Sequence, residues 1–338
     1  MARIVAAGAP RARKNRDGGT LAFPAGEPDT ADVNVTATQL TERLLDSYTH
    51  TGDINHLDGK NLPSKRTIAV ITLDLLRLLF PGFFAEKVVH SSEIGADTAA
   101  LVESVLVRLQ GEIRRSLEYA PPKGASKKEL PGLARQLTGE FLASLPDVRD
   151  LLSTDVEAAY NGDPAALSRE EVILAYPFVE AIAVQRLAHE LYRKSVALLP
   201  RIMTEWAHSR SGLDLHPGAR IGAHFFVDHC TGTVVGETAE IGSHVKLYQG
   251  VGIVARSLSG GQALRGQKRH PTLGDRVTVY AGATIMGGDT VIGAGSTIGA
   301  NVFLTCSVPP NSLVISEDVK IKVMSKTLRQ APVLDFQI

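Results

Sequence analysis

Two cysteines, Cys230 and Cys306, in 338 residues leave no disulfide framework, which suits a reducing cytoplasm. Charge of one sign is not in excess either. Thirty-six basic residues balance 36 acidic ones, which removes any global electrostatic reason to bind nucleic acid or an acidic membrane. Long apolar runs are missing too. The most apolar stretch, 67–80, is broken by Asp74 and Arg77 and stopped by Pro81, so it reads as a buried helix and not as a membrane span. The N-terminal charges (Arg3, Arg11, Arg13, Lys14, Arg16) are not followed by an apolar core of signal-peptide length. Residues 1–35 are rich in Gly, Ala, Pro and charge without a hydrophobic period, and they read as a flexible leader.

What is present is 44% apolar and 21% charged, the balance of a globular protein long enough for two domains. Residues 36–210 carry helical periodicity. Leu40, Leu44 and Leu45 recur at helix spacing, and Leu101, Val105, Leu109 and Ile113 do so at every fourth residue. Ser168 followed by Glu171 has capping-box spacing, and Phe178, Ile182, Leu187 and Leu191 mark one face of a helix that starts at Pro177. All these stripes are read as core packing.

After Ser211 the texture changes. Single aliphatics return every six residues: Leu215, Ile221, Val227; after a slip of two, Val235, Ile241, Leu247, Ile253; then Leu273, Val279, Ile285; and after one extra residue Ile292, Ile298, Leu304. A period of six is the signature of a hexapeptide β-helix. Each hexad is one short strand and a turn, three make a triangular coil, and coils stack about 4.8 Å apart as hydrogen-bonded strands do. The fold class is therefore α+β: an α-helical domain, then a left-handed parallel β-helix over 211–315, with a tail at 316–338. Residues 254–272 break the count and are read as an extruded loop, rich in Gly and basic residues.

Three clusters carry chemistry: Asp214-Leu215-His216-Pro217, Asp228-His229-Cys230, and Arg269-His270-Pro271. The spacing sets Asp214 and His229 on adjacent coil levels. A carboxylate beside an imidazole fixes its tautomer, and such a histidine takes a proton from an alcohol as general base. His270, delivered by the loop, has no need to be buried, and it or a loop N–H is a candidate donor to a developing oxyanion. Cys230 is read as a small packed thiol, because adjacent strand residues point to opposite faces. His216, His224 and His244 are read as turn or surface residues. Lys268 and Arg265 either meet an anionic nucleotide or keep the loop solvated.

The strings DLHPGARIG, VDHCTGTVVGETAEIG, LYQGV and KRHPTLGD resemble the serine O-acetyltransferases of the hexapeptide-repeat superfamily, over residues 158–312. The resemblance implies transfer of acetyl from acetyl-CoA to the hydroxyl of L-serine, the first step of cysteine biosynthesis, in the cytoplasm and without a metal. It implies Asp214, His229 and His270 as catalytic residues, and Asp163, Asp228 and Arg269 as binders of serine. It implies Ala281, Thr297 and Ala300 along the coenzyme groove. It implies trimers of β-helices with sites between neighbours, often paired into dimers of trimers, and inhibition by cysteine. The ending in Ile338 resembles tails that insert into O-acetylserine sulfhydrylase.

This sequence departs from the family where VGIVARSLSGGQALRGQ replaces a short Gly-Gly-Thr-Gly loop, and its leader and helical domain are long. Other readings stay open on the residues alone. They are an acyltransferase for homoserine or a sugar, a zinc lyase of carbonic anhydrase type using His229, His270 and His244, and a non-catalytic scaffold that binds a partner through its tail.

Overall fold

The computed structural model describes residues 36–85, 87–257 and 259–317. Two compact units divide at Gly59 and Lys60. In the described part of the first, α1 (Ala37–His50) starts at a complete capping box, with the Thr36 side chain accepting from the Gln39 N–H and the Gln39 side chain reaching back. A 3-10 turn, Gly52–Ile54, follows. The expected core role of Leu40, Leu44 and Leu45 is corrected here: all three are exposed, and α1 buries none of its residues.

The described part of the second unit holds seven α-helices and the β-helix. The helices are α2 (Lys65–Leu79), α3 (Ile94–Tyr119), α4 (Leu130–Ala143), α5 (Leu145–Gly162), α6 (Arg169–Ala175), α7 (Pro177–Arg193) and α8 (Leu199–Ser211). The stretch ending at Pro81 is helix α2, with Ile68, Ile71, Leu75, Leu76 and Leu79 buried. Val105, Leu109 and Ile113 of α3 and Phe178, Ile182, Leu187 and Leu191 of α7 lie in the same core. Ser168 caps α6 through the Glu171 N–H, but Glu171 answers to the Leu167 N–H and not to Ser168, so the capping box is one-sided. Among the described residues no single helix is long and apolar enough to cross a membrane.

The strands form stacked coils. The first coil is β1 (Asp214–Leu215), β2 (Arg220–Ile221) and β3 (Phe226–Val227). The second is β4 (Val234–Val235), β5 (Glu240–Ile241) and β6 (Lys246–Leu247), and the third is β7 (Gly252–Val254), β8 (Thr272–Leu273) and β9 (Thr278–Val279). The fourth is β10 (Thr284–Met286), β11 (Val291–Ile292) and β12 (Thr297–Ile298), and β13 (Phe303–Leu304) and β14 (Leu313–Val314) end the stack. All pairings are parallel, in three sheets: a first face β1-β4-β7-β10-β13, a second face β2-β5-β8-β11, and a third face β3-β6-β9-β12-β14. The hexad aliphatics point inward, and all but the partly buried Ile221 are buried.

The helices and the first coil share one core, which is what positions the site. Phe178 packs against Phe225 and Phe226 at ring distances of 6.1 and 5.3 Å. Beside them the buried Arg186 of α7 grips Asp155 of α5 with two hydrogen bonds, of 2.6 and 2.8 Å, and also donates to the Ile221 and Gly222 carbonyls. Asp155 in turn accepts from the Phe225 N–H. Both charges have lost water, so each depends on the other and on these backbone groups.

Candidate active site

A triangular prism has three edges, and most of the candidate side chains belong to them, while Asp163, Asp214 and Thr297 stand at the end of α5, in β1 and in β12. Residues 228–233 turn from the third face to the first, with Asp228, His229 and Cys230 on that edge at the first coil. His216, Glu237-Thr238 and Arg269-His270 follow one another on the first-to-second edge, at successive coils. His224 and His244 share the second-to-third edge, where their rings stack 4.1 Å apart. His229, His270 and His244 thus occupy three different edges, so the trio needed for a zinc lyase does not converge within one chain.

On the third-to-first edge His229 and Cys230 both have left-handed backbones, φ 58° and 54°. They sit in a turn, which corrects the expectation that strand alternation separates them. Cys230 nevertheless points inward, with its thiol donating to the Val227 carbonyl, and burial pushes it up to about 12. The His229 side chain is 69% exposed, and its Nε2 lies 3.7 Å from Asp228 Oδ1. Asp214 does reach the adjacent level, its N–H donating to the Thr233 carbonyl. Its carboxylate, however, pairs with Arg201 at 3.3 Å, so in a single chain the carboxylate beside His229 is Asp228. Glu205, His208 and Asp214 bring ligand atoms within 4.8 Å of one another, but Arg201 pairs with both carboxylates and offsets part of their charge.

Asp163 and Asp228 come together from different elements. Asp163 caps α5, and Lys246 of β6 donates to the preceding Gly162 carbonyl at 2.6 Å while lying 3.7 Å from Asp228 Oδ2. Gly162 has no room for a side chain, because a Cβ there would come 2.9 Å from the Phe226 ring. Asp163 is held below the usual carboxylate range by a hydrogen bond from the Tyr176 hydroxyl and a second from the Ala165 N–H.

The first-to-second edge is built differently. His270 is buried, against expectation, with its ring pressed against Gly236: a Cβ at 236 would fall 2.0 Å from it. Nδ1 accepts from the Thr238 N–H at 3.1 Å and sits 2.9 Å from the Thr238 hydroxyl, which itself accepts from the Arg269 and His270 N–H groups. With Nδ1 used as acceptor, the proton is on Nε2, and burial, with the neighbouring Arg269 cation, pulls the imidazole down to about 4. His216, read as a turn or surface residue, is part of the same cluster. It stands edge-on to Tyr192 at 5.9 Å and is pulled to about 4 by burial.

Arg269 is held by Glu237, and Glu237 also accepts from the Tyr192 hydroxyl at 2.7 Å. Burial works against the charge of Glu237, but these two donors outweigh it and keep the carboxyl below its usual range. Arg269 Nη1 is buried with no hydrogen-bond partner among the described residues, a donor left for something else. Lys268 is engaged with the Thr238 carbonyl and Glu240, and Arg256 staples the base of the loop to Asp289 and the Thr305 carbonyl.

Ala281 and Ala300 lie further along the edge that carries His229, and Thr297 faces outward from β12. Ile338 lies outside the described residues. Sequence reasoning gave no role to Tyr176, Lys246, Tyr192, Glu237 or Thr238. The last two were visible inside the GETAE string, but their partner lies some thirty residues downstream across the loop.

No protein-family profile matches the chain. A serine acetyltransferase from Synechococcus elongatus, marked as plasmid, is 41% identical over 266 residues, covering 77% of this chain and 83% of the relative. The serine acetyltransferase of Mycobacterium tuberculosis is 47% identical over 161 residues, 48% of this chain and 67% of its own. Among solved structures, serine acetyltransferase 1 of Entamoeba histolytica in complex with L-cysteine superposes with a TM-score of 0.64 at 33% identity, over 76% of this chain and 88% of that one. Isoform 3 from the same organism, in complex with cysteine, gives 0.65 at 31%, over 86% and 95%. With sequence and left-handed β-helix fold shared over this length, the chain belongs to the serine acetyltransferase family.

Proposed function

We propose that the protein transfers an acetyl group from acetyl-CoA to the hydroxyl of L-serine, the step that opens cysteine biosynthesis, at sites shared between neighbouring subunits of a trimer. One observation carries this reading: His229 and His270 lie on the two opposite edges of the first face, and from β4 onward that face presents Val234, Gly252, Thr284 and Phe303, with no charge. Three prisms packed with this face inward bring the His229 edge of one chain to the His270 edge of the next.

Within such a site Asp163 and Asp228 hold the ammonium of serine, and Arg269, with its free Nη1, holds the carboxylate. The exposed His229 takes the hydroxyl proton as general base. Asp228 is the carboxylate at hand for the imidazolium in a single chain, and Asp214 takes that part once Arg201 releases it. His270, neutral with its proton on Nε2, donates to the carbonyl oxygen where charge develops. Acetyl-CoA supplies the activated acetyl thioester when bound. Ala281, Ala300 and Thr297 are proposed to line its path. The free thiols of Cys230 and Cys306 suit a reducing cytoplasm, and the tail through Ile338 is proposed to dock on the sulfhydrylase acting next.

The test is complementation between inactive chains. His229→Asn and His270→Asn, each alone, lower acetyl-CoA-dependent thiol release with serine. Co-expressed, they recover about a quarter of wild-type activity, since half of each kind of edge is intact. No recovery from assembled mixed oligomers rejects the shared site, and no activity of the wild type with serine rejects the acceptor.

A further inference from the structure

The two carboxylates proposed for the ammonium of serine are not equally supported. Asp228 is fixed by the β-helix turn. Asp163 stands at the end of α5, on a short connection to α6, where a lone side chain would sample several rotamers. In the structure it is fully directed. Oδ1 accepts from the Ala165 N–H at 2.9 Å, and Oδ2 accepts from the Tyr176 hydroxyl at 2.5 Å. Tyr176 is itself placed without freedom. It is the N-cap of α7, followed by Pro177 at the first helical position, and its own N–H donates to the Val172 carbonyl of α6. From the other side, Lys246 ties down the Gly162 carbonyl, and the Phe226 ring fills the space a side chain at 162 would need.

We infer that Tyr176 is a positioning residue for the acceptor: its hydroxyl, donated to Asp163, locks that carboxylate in the orientation in which its remaining lone pairs meet the substrate ammonium. The inference rests on the proposed role of Asp163 and adds to it. The phenol acts through the carboxylate and takes no proton in the reaction. Its bond to Asp163, with burial secondary, pushes it up to about 12, so it remains a donor across the working range. The charged and titratable groups around the pair are Lys246 from β6, His229 and Asp228 from the third-to-first edge, and Glu171 from α6. A hydrogen bond to a charged group whose removal loosens the ion it orients is worth about tenfold in binding.

The experiment is a two-by-two set: wild type, Tyr176→Phe, Asp163→Asn and the double variant, assayed by thiol release with serine and acetyl-CoA varied in turn. Tyr176→Phe keeps the ring and removes one oxygen, and thermal unfolding of each variant checks the fold. The expected result is a rise of about tenfold in KM for serine, with kcat and KM for acetyl-CoA within about twofold, and no further rise when Tyr176→Phe is added to Asp163→Asn. An unchanged KM for serine in Tyr176→Phe, while Asp163→Asn raises it, overturns the inference and leaves the reading of Asp163 standing. Effects that simply add in the double variant overturn it too, because Tyr176 then acts independently of the carboxylate. An unchanged KM in Asp163→Asn removes the reading beneath both.

Discussion

The two edges that flank the first face hold their histidines in opposite ways. On one edge His229 stands in a left-handed turn, mostly in solvent, with a carboxylate 3.7 Å away. On the other, His270 is buried on Gly236, with Nδ1 satisfied by Thr238, inside a network that includes Arg269, Glu237, Tyr192 and His216. The first arrangement leaves an imidazole free to accept a proton. The second fixes a neutral ring with one donor in a set direction. A base must change its charge during turnover and a donor to an oxyanion must not, so exposure suits the one and burial the other.

Breaking the exposed edge separates activity from stability. His229→Asn, chosen because asparagine tolerates positive φ, lowers kcat by about 10²–10⁴. The melting temperature stays within a degree or two, since the side chain is mostly exposed. A drop of many degrees would mean that the turn depends on the imidazole.

Breaking the buried edge moves both properties at once. Gly236→Ala drives a methyl into the His270 ring, which has to tilt off its Thr238 hydrogen bonds. The expected cost is about 1–3 kcal/mol of stability, together with a fall in kcat of about tenfold or more as the donor loses its aim. Unfolding in denaturant and the thiol-release assay read the two effects. Wild-type values for both would show that the ring has somewhere else to go.

The smallest effect sharpens the comparison through pH. His216 and His270 are both pulled to about 4 in the folded protein, against about 6.5 in an unfolded chain. As pH falls from 6.5 towards 4 the unfolded state takes up protons that the folded state refuses. The stability these two histidines leave intact above pH 6.5 is therefore lost across that window. Melting temperatures measured between pH 7 and pH 4 should fall less steeply in a His216→Asn, His270→Asn double variant than in the wild type. Equal slopes would assign the acid sensitivity to other groups.

The β-helix was open to reading because its code is local. Each inward aliphatic recurs after six residues whatever lies elsewhere, and the break at 254–272 announces an excursion without any need to see it. The helices were legible for the same reason in α2, α3 and α7, although Leu101 of the α3 stripe stays outside the core. They were not legible at α1, where Leu40, Leu44 and Leu45 keep perfect spacing yet stay exposed, because periodicity reports an apolar face and not what covers it.

The site divides along the same line. Its residue types, Asp214, Asp228, His229, Arg269 and His270, stand out in the sequence as acid–imidazole and arginine–histidine clusters, two of them at breaks in the repeat. Contacts closed across 13, 32 or 84 residues do not, because separation along the chain says nothing about separation in space. Composition and period alone determined a three-faced prism with chemistry at its irregular turns. Only the tertiary structure decided which edge each histidine takes, which nitrogen of His270 carries the proton, that Arg201 holds Asp214, and that a tyrosine at the start of α7 donates to Asp163. A repeat is written in neighbouring residues, and a site is written in the long-range contacts that folding closes.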